Sequence, residues 1–237
     1  MASLLVMLMA SVGYGIANRP AGIIMDSRNK ISLSRFQMAG WTVVVLASIL
    51  TIAITNTAAM TPCQSGAVCP SPLDFTIPDG LLAAMGISSA SMIASPFILN
   101  TKTTTDPHPD QVSQTADKLN IPQDSLINQG MVFARSNAMD ASWLDMFRGD
   151  DVATAWSVDL SKIQQFLITL VLLGSYSVSV MRLLVSSDHI PSMPVLSEGF
   201  IWLMSISHGS YLAFKSLPQS NTSPVNKQNP TTSPPVD

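Results

Sequence analysis

The chain has 237 residues, of which 11% are charged and 47% are hydrophobic, and its formal net charge is −3. A typical soluble domain carries roughly 25% charged residues, so this composition favours a membrane protein over an ordinary soluble one. The net charge argues against a nucleic-acid partner, which requires a basic surface. Two cysteines and three histidines are too few to predict a metal site, and no other cofactor is expected.

Five apolar runs approach the length of about 20 residues with which a helix crosses the hydrocarbon of a bilayer. They cover residues 2–17, 36–54, 80–99, 163–181 and 199–214. The first run has no basic segment before it, which favours a membrane anchor over a cleaved signal peptide, although its small residues also fit a cleavage site. The sequence therefore predicts an all-α membrane protein with five transmembrane helices. The alternative is a soluble protein with several buried helices.

The second and fourth runs begin with the same short pattern. Ser34-Arg35-Phe36-Gln37 and Ser161-Lys162-Ile163-Gln164 both fit a capping box, in which the serine and the glutamine satisfy free amides in the first turn of a helix. In the alternative interpretation, Gln37 and Gln164 line a polar path.

After each of these helices the chain crosses a polar loop and enters another apolar run, which opens on Asp79-Gly80 or Glu198-Gly199. An acid in the first turn is favoured by the helix dipole. The pattern predicts two parallel two-helix repeats after an N-terminal anchor. The predicted divisions are the anchor with a basic cytoplasmic loop (1–31), the first hairpin (32–99), a cytoplasmic linker with an amphipathic helix (100–158), the second hairpin (159–216) and a disordered cytoplasmic tail (217–237).

Basic residues are distributed in the way that sets membrane orientation. Four of them lie between the first two runs and five lie in the middle segment, whereas the loops 55–78 and 185–197 contain none. Only Arg182 lies on the opposite side. The positive-inside rule therefore predicts an N-terminus outside and a C-terminus in the cytoplasm, in the inner membrane of a bacterium.

Two sets of residues in the loops are candidates for covalent or surface contacts. Cys63 and Cys69 lie in the predicted outer loop, where an oxidising compartment favours a local disulfide; free thiols are the alternative. Residues 137–149 are predicted to form a short amphipathic helix with Trp143, Met146 and Phe147 on one face. Such a face lies on the membrane or on a partner, or else packs against the protein's own helices.

The third and fifth runs contain one intramembrane histidine among small residues. Small residues let helices approach closely, and hydroxyl and imidazole groups form hydrogen bonds across the contact. A proton relay through the histidine is the alternative, but the sequence shows no carboxylate partner at a similar depth. The residues predicted to pack these helices together are Gly86, Ser88, Ser89, Ser205, Ser207, His208 and Gly209.

Several phrases of the sequence resemble an uncharacterised family of bacterial multi-pass membrane proteins. They include 32–37, 81–88, 145–150 and 207–213. The resemblance implies a membrane fold but no activity, and we find no catalytic motif in the residues themselves. The expected function is therefore non-enzymatic: a structural, anchoring or accessory subunit whose partners are the lipid bilayer and other membrane proteins or further copies of itself. The alternative is a small channel or transporter with a polar path near His208.

Overall fold

The computed structural model describes residues 1–59, 71–186 and 189–219, so Cys63, Cys69 and the predicted tail beyond residue 219 lie outside the described residues. The described chain is mostly helical. Its α-helices are α1 (Ala2–Ala17), α2 (Leu33–Ala59), α3 (Asp79–Thr101), α4 (Pro109–Leu119), α5 (Leu160–Ser186) and α6 (Glu198–Ser216). Short 3₁₀ turns cover Pro20–Ile24, Gln123–Ser125, Ala138–Asp140, Trp143–Phe147 and Val152–Thr154. Strands β1 (Ile127–Gln129) and β2 (Val132–Ala134) pair antiparallel, with Asn128 opposite Phe133.

Four long helices form a bundle in which α2 runs parallel to α5, and α3 runs parallel to α6. Helix α2 packs on α3 and α5, and α6 packs on the same two helices. Apolar side chains that are almost completely buried fill its centre: Trp41, Ile52, Leu81, Leu172 and Met204. Three of the described helices, α2, α3 and α5, are long and apolar enough to cross a membrane, whereas α1 is a shorter apolar helix.

The 3₁₀ turn that follows helix α1 folds back and packs against it. The helix ends at Ala17, and the next residue, Asn18, caps it with a left-handed φ of 53°, a conformation that asparagine tolerates. The following 3₁₀ turn then folds back onto the helix so closely that a Cβ atom on Gly13 would lie 2.7 Å from the carbonyl oxygen of Pro20. This close approach accounts for glycine at positions 13 and 22, because each faces the backbone of the other segment.

The two predicted capping boxes are not formed. Ser34 is buried one residue inside α2, and its hydroxyl has no hydrogen-bond partner among the described residues. At the start of α5, Oδ1 of Asp159 accepts hydrogen bonds from the amide and the hydroxyl of Ser161. An aspartate is a strong N-cap residue, so the helix begins before Ser161 and the serine is inside it.

The segment between α3 and α5 is folded rather than a linker, and we call residues 102–159 the end segment. The amphipathic helix predicted over 137–149 is wrong, because the chain forms two separate 3₁₀ turns there. Oδ1 of Asn137 caps the first turn, and a capping box of Ser142 and Asp145 starts the second. Because each capping residue has an extended backbone and starts a new turn, the turn before it ends there and no continuous α-helix forms. After these turns the chain pairs with the residues before α5, since the amide of Gly149 donates to the carbonyl oxygen of Ser157.

A buried ion network as the candidate functional site

Asp150 lies at the centre of a buried cluster of charges where the end segment meets the bundle. Its side chain is surrounded by four basic groups. Oδ1 lies 2.9 Å from Nη2 of Arg28 and 3.9 Å from Nζ of Lys30. Oδ2 lies 2.9 Å from Nζ of Lys162 and 3.0 Å from Nζ of Lys215. One carboxylate therefore joins the loop before α2, the first turn of α5 and the last turn of α6.

Each basic group has further partners that fix its position. Arg28 also pairs with Asp26 at 2.6 Å. The other three bond to neutral oxygen atoms: Lys30 to the carbonyl of Gly149, Lys162 to the carbonyl of Arg148, and Lys215 to the hydroxyls of Ser95 and Tyr211. Buried charges are tolerated only when they are paired and hydrogen-bonded, and these contacts meet that requirement.

Two more ion pairs lie within the end segment, and one of them also contacts the chain after α6. Nζ of Lys102, just after α3, lies 3.0 Å from both carboxylate oxygens of Asp151 and donates to the carbonyl of Leu217 after α6. Arg135 forms a two-pronged contact with Asp145 at 2.7 and 2.9 Å. The ends of all four bundle helices are thus tied to this one segment.

The cluster contains more positive than negative charge. Arg28, Lys30, Lys162 and Lys215 face the two carboxylates Asp26 and Asp150. Burial raises the pKa of Asp150, but the four neighbouring cations outweigh burial and hold that pKa well below its usual value. Burial likewise lowers the pKa of Lys30 to about 7, and the attraction of Asp150 only partly offsets it. Lys30 is therefore the group that can relieve the excess charge by losing a proton near neutral pH.

The bundle interior also contains hydrogen bonds between helices. Nε2 of Gln37 on α2 donates to Oγ1 of Thr169 at 2.7 Å, and Nε2 of Gln165 donates back to Oε1 of Gln37 at 2.9 Å. The partner of Gln37 is thus Gln165, one residue beyond the glutamine that the sequence repeat aligns with it. At the opposite end, the side chain of Asn56 bonds to both backbone polar groups of Ile190, at 2.8 and 3.0 Å.

The residues predicted to pack α3 against α6 fall into three groups. His208, Ser88 and Ser207 are buried in the contact, and Nδ1 of His208 lies 2.6 Å from Oγ of Ser91. Ser89 and Ser205 are half-buried, and each donates to a carbonyl of its own helix. The interpretation of Gly86 and Gly209 as packing residues is wrong, because both are exposed and a Cβ atom there would meet nothing within 4 Å.

The three aromatic and apolar residues predicted for a surface face do not share one. Met146 is buried. Phe147 packs edge-on against Phe166 of α5, with ring centroids 5.1 Å apart. Trp143 contacts Phe36 of α2 but remains 53% exposed. The neighbouring Leu144 is 55% exposed. The exposed apolar surface is therefore formed by Trp143 and Leu144, and not by Met146 and Phe147.

The central role of Asp150 is not visible in local sequence patterns. In the sequence the basic residues that surround it indicate only membrane orientation, as charges in the segments that flank the apolar runs. One signal is present in the sequence: Asp150 and Asp151 follow Gly149 directly, in a segment that precedes a helix long enough to span a membrane and carries acids that can pair with those charges. The distances along the chain, from Arg28 to Lys215, prevented the pairing from being predicted.

The described residues contain no group of histidine, cysteine, aspartate and glutamate side chains that could hold a metal ion. The network instead offers strong, fixed electrostatic contacts between the helix ends and the end segment. Comparison of the chain with protein-family models, with curated proteins and with solved structures finds no match.

Proposed function

We propose that this chain is a non-enzymatic integral membrane protein that acts as an anchoring or structural subunit of a larger membrane assembly. In this proposal five helices cross the bilayer, α1 as an anchor and the other four as two parallel hairpins. The membrane is the inner membrane of a bacterium, with the end segment on the cytoplasmic side. The bundle then serves to hold the end segment in a fixed position at the membrane surface.

The observation that carries the proposal is the network around Asp150. A buried carboxylate with four basic partners fixes the end segment to the helix ends, since separating the carboxylate from them would leave buried cations uncompensated. Such a rigid attachment suits a subunit that presents a surface to other proteins. The surface that it presents includes Trp143 and Leu144, which are large, apolar and more than half exposed. Exposed aromatic residues are enriched at protein interfaces.

The test is photo-crosslinking in native membranes. A photoreactive amino acid at position 143 is expected to give discrete adducts with other membrane proteins or with a second copy of the chain. The same amino acid at Ile127, which is also exposed but lies on strand β1, is the matched control and should give few adducts. The double change Trp143→Ser and Leu144→Ser should reduce co-purification of the crosslinked partner without changing the amount of protein in the membrane. Equal adducts at both positions would contradict the proposal.

A second candidate function, a small channel or transporter, has an observation in its favour. Seven polar atoms inside the bundle are buried and have no hydrogen-bond partner among the described residues: Ser34 Oγ, Trp41 Nε1, Ser88 Oγ, Gln165 Oε1, Tyr176 Oη, Ser207 Oγ and His208 Nε2. Native proteins leave few such groups unpaired, and a proton or polar solute passing through the bundle would give them partners.

Flux in reconstituted vesicles separates the two candidates. A transporter should show proton or solute flux that is lost in His208→Ala and retained in Ser210→Ala, because Ser210 is on the same helix but exposed. A protein that functions by contact should show no flux in either variant, and it should retain its crosslinked partner in His208→Ala.

A further inference from the structure

We propose that the groove between α1, α2 and α3 binds one anionic glycerophospholipid, whose headgroup contacts Arg35 and whose acyl chain lies along α2 and α3. The groove has a volume of about 640 Å³, which is in the range of small-molecule binding sites. The proposal rests on the membrane-spanning bundle of the proposed function.

The groove is polar at one end and apolar along its length. Arg28, Arg35 and Asn100 line the end near the ion network, and Met38, Ile93 and Phe97 line the part that runs between the helices. Ile93 and Phe97 are more than half exposed, so the apolar part opens outward to the surroundings of the bundle. In a spanning bundle those surroundings are lipid acyl chains.

The length of the groove fits within one leaflet of a bilayer. It follows α2 from Ser32, just before the first turn, as far as Thr42. Beyond the polar end at Arg35, the stretch to Thr42 is roughly 10 Å long at about 1.5 Å per residue, which is about two thirds of one leaflet of the ~30 Å hydrocarbon layer. A ligand with a polar headgroup and a chain of that depth matches a phospholipid better than a soluble metabolite.

The polar end has positive charge available for the headgroup. Arg35 is exposed, and one of its guanidinium nitrogens donates to the carbonyl of Met25 at 2.6 Å. Within the described residues its other two guanidinium nitrogens donate to no protein atom. Nη1 of Arg28 is buried and also has no partner there. Arg28 is already paired with Asp26 and Asp150, so Arg35 supplies the positive charge that complements a phosphate.

The test is native mass spectrometry of the full chain in detergent with phosphatidylglycerol or phosphatidylcholine carrying the same acyl chains. One phosphatidylglycerol should remain bound, and Arg35→Gln should weaken its binding about tenfold, as expected for the loss of one charge-assisted hydrogen bond. Ile93→Trp, which fills the exposed side of the groove, should have a similar effect.

The matched controls are Arg182→Gln, at the other end of α5, and Leu170→Trp, on the exposed face of α5. Neither should change binding. Equal binding of both lipids, or no effect of Arg35→Gln and Ile93→Trp, would overturn the proposal and indicate ordinary surrounding lipid. Resistance of the protein to carbonate extraction is measured separately. If carbonate extracts the wild-type protein from the membrane, the proposed function is refuted. If the protein stays in the membrane but binds no lipid selectively, only the lipid site is refuted.

Discussion

Asp150 is the residue at which the helices and the end segment depend on one another most. Its carboxylate contacts four cations in a buried site. Asp150→Asn keeps the size of the side chain but leaves those cations without their central negative charge. Because breaking a buried ion pair typically costs about 3–5 kcal/mol, we expect a large fall in the thermal unfolding temperature of the purified protein.

The control for this change is Asp117→Asn, at an exposed position on α4. Surface substitutions of this kind usually alter stability by less than about 0.5 kcal/mol. The same two variants should also differ in limited proteolysis, with faster cleavage of the end segment in Asp150→Asn only. Equal unfolding temperatures in the two variants would show that the network does not stabilise the fold.

Lys30 gives the network a dependence on pH. Its pKa falls from an ordinary value of 10.5 to about 7 in the folded protein, so between these values the unfolded chain binds more protons than the folded one. Stability should therefore rise as the pH increases from 7 toward 10. Lys30→Met removes the titrating amine. The unfolding temperature of this variant, relative to that of the wild type, should therefore fall as the pH rises. Thermal unfolding at pH 6.5, 7.5, 8.5 and 9.5 measures the difference, and a pH-independent difference would contradict the assignment.

At the scale of the helix, the glycines that matter for packing are not those in the small-residue pattern. A Cβ atom on Gly80 of α3 would lie 2.6 Å from the carbonyl oxygen of Leu196, whereas one on Gly86 would meet nothing within 4 Å. Gly80→Ala should therefore destabilise the protein by about 1–3 kcal/mol through overpacking. Gly86→Ala should be neutral or slightly stabilising, because alanine has the higher helix propensity. Unfolding temperatures measured in the same detergent compare the two, and a larger loss in Gly86→Ala would contradict the geometry.

The sequence repeat predicts the existence of the helices better than it predicts which of their residues face inward. Gln37 is buried on α2, but the buried glutamine on α5 is Gln165, while its neighbour Gln164 is exposed. Both helices begin at the leucine before the serine, Leu33 and Leu160, so the two helices differ in rotation and not in where they start. Local similarity of two segments does not determine rotation, because rotation depends on what each helix packs against.

At the scale of the whole molecule, apolar length identified α2, α3 and α5, which are long and apolar enough to span a membrane. These runs are continuous, so hydrophobicity alone locates them. The end segment could not be predicted in the same way. It is built from short 3₁₀ turns, a two-stranded hairpin and ion pairs, such as Lys102 with Asp151, that join residues distant in sequence. Of the exposed pair Trp143 and Leu144, the sequence predicts only Trp143. The two residues lie on a 3₁₀ turn, where the residue spacing of an α-helix does not show which side chains are exposed.

The orientation of the molecule in the membrane can be tested directly. The start of α5 and the end of α6 meet at Asp150, and the end of α3 meets the adjacent Asp151. Both hairpins therefore open toward the same side, and the positive-inside rule predicts that this side is cytoplasmic. Reporters active only in one compartment, inserted after Ala58, after Asp117 and after Gln219, should give an external signal at the first site and cytoplasmic signals at the other two. Because Asp117 and Gln219 lie at the same end of the bundle as the network, opposite signals at those two sites would contradict the fold itself. An inverted pattern at all three sites would contradict the orientation alone.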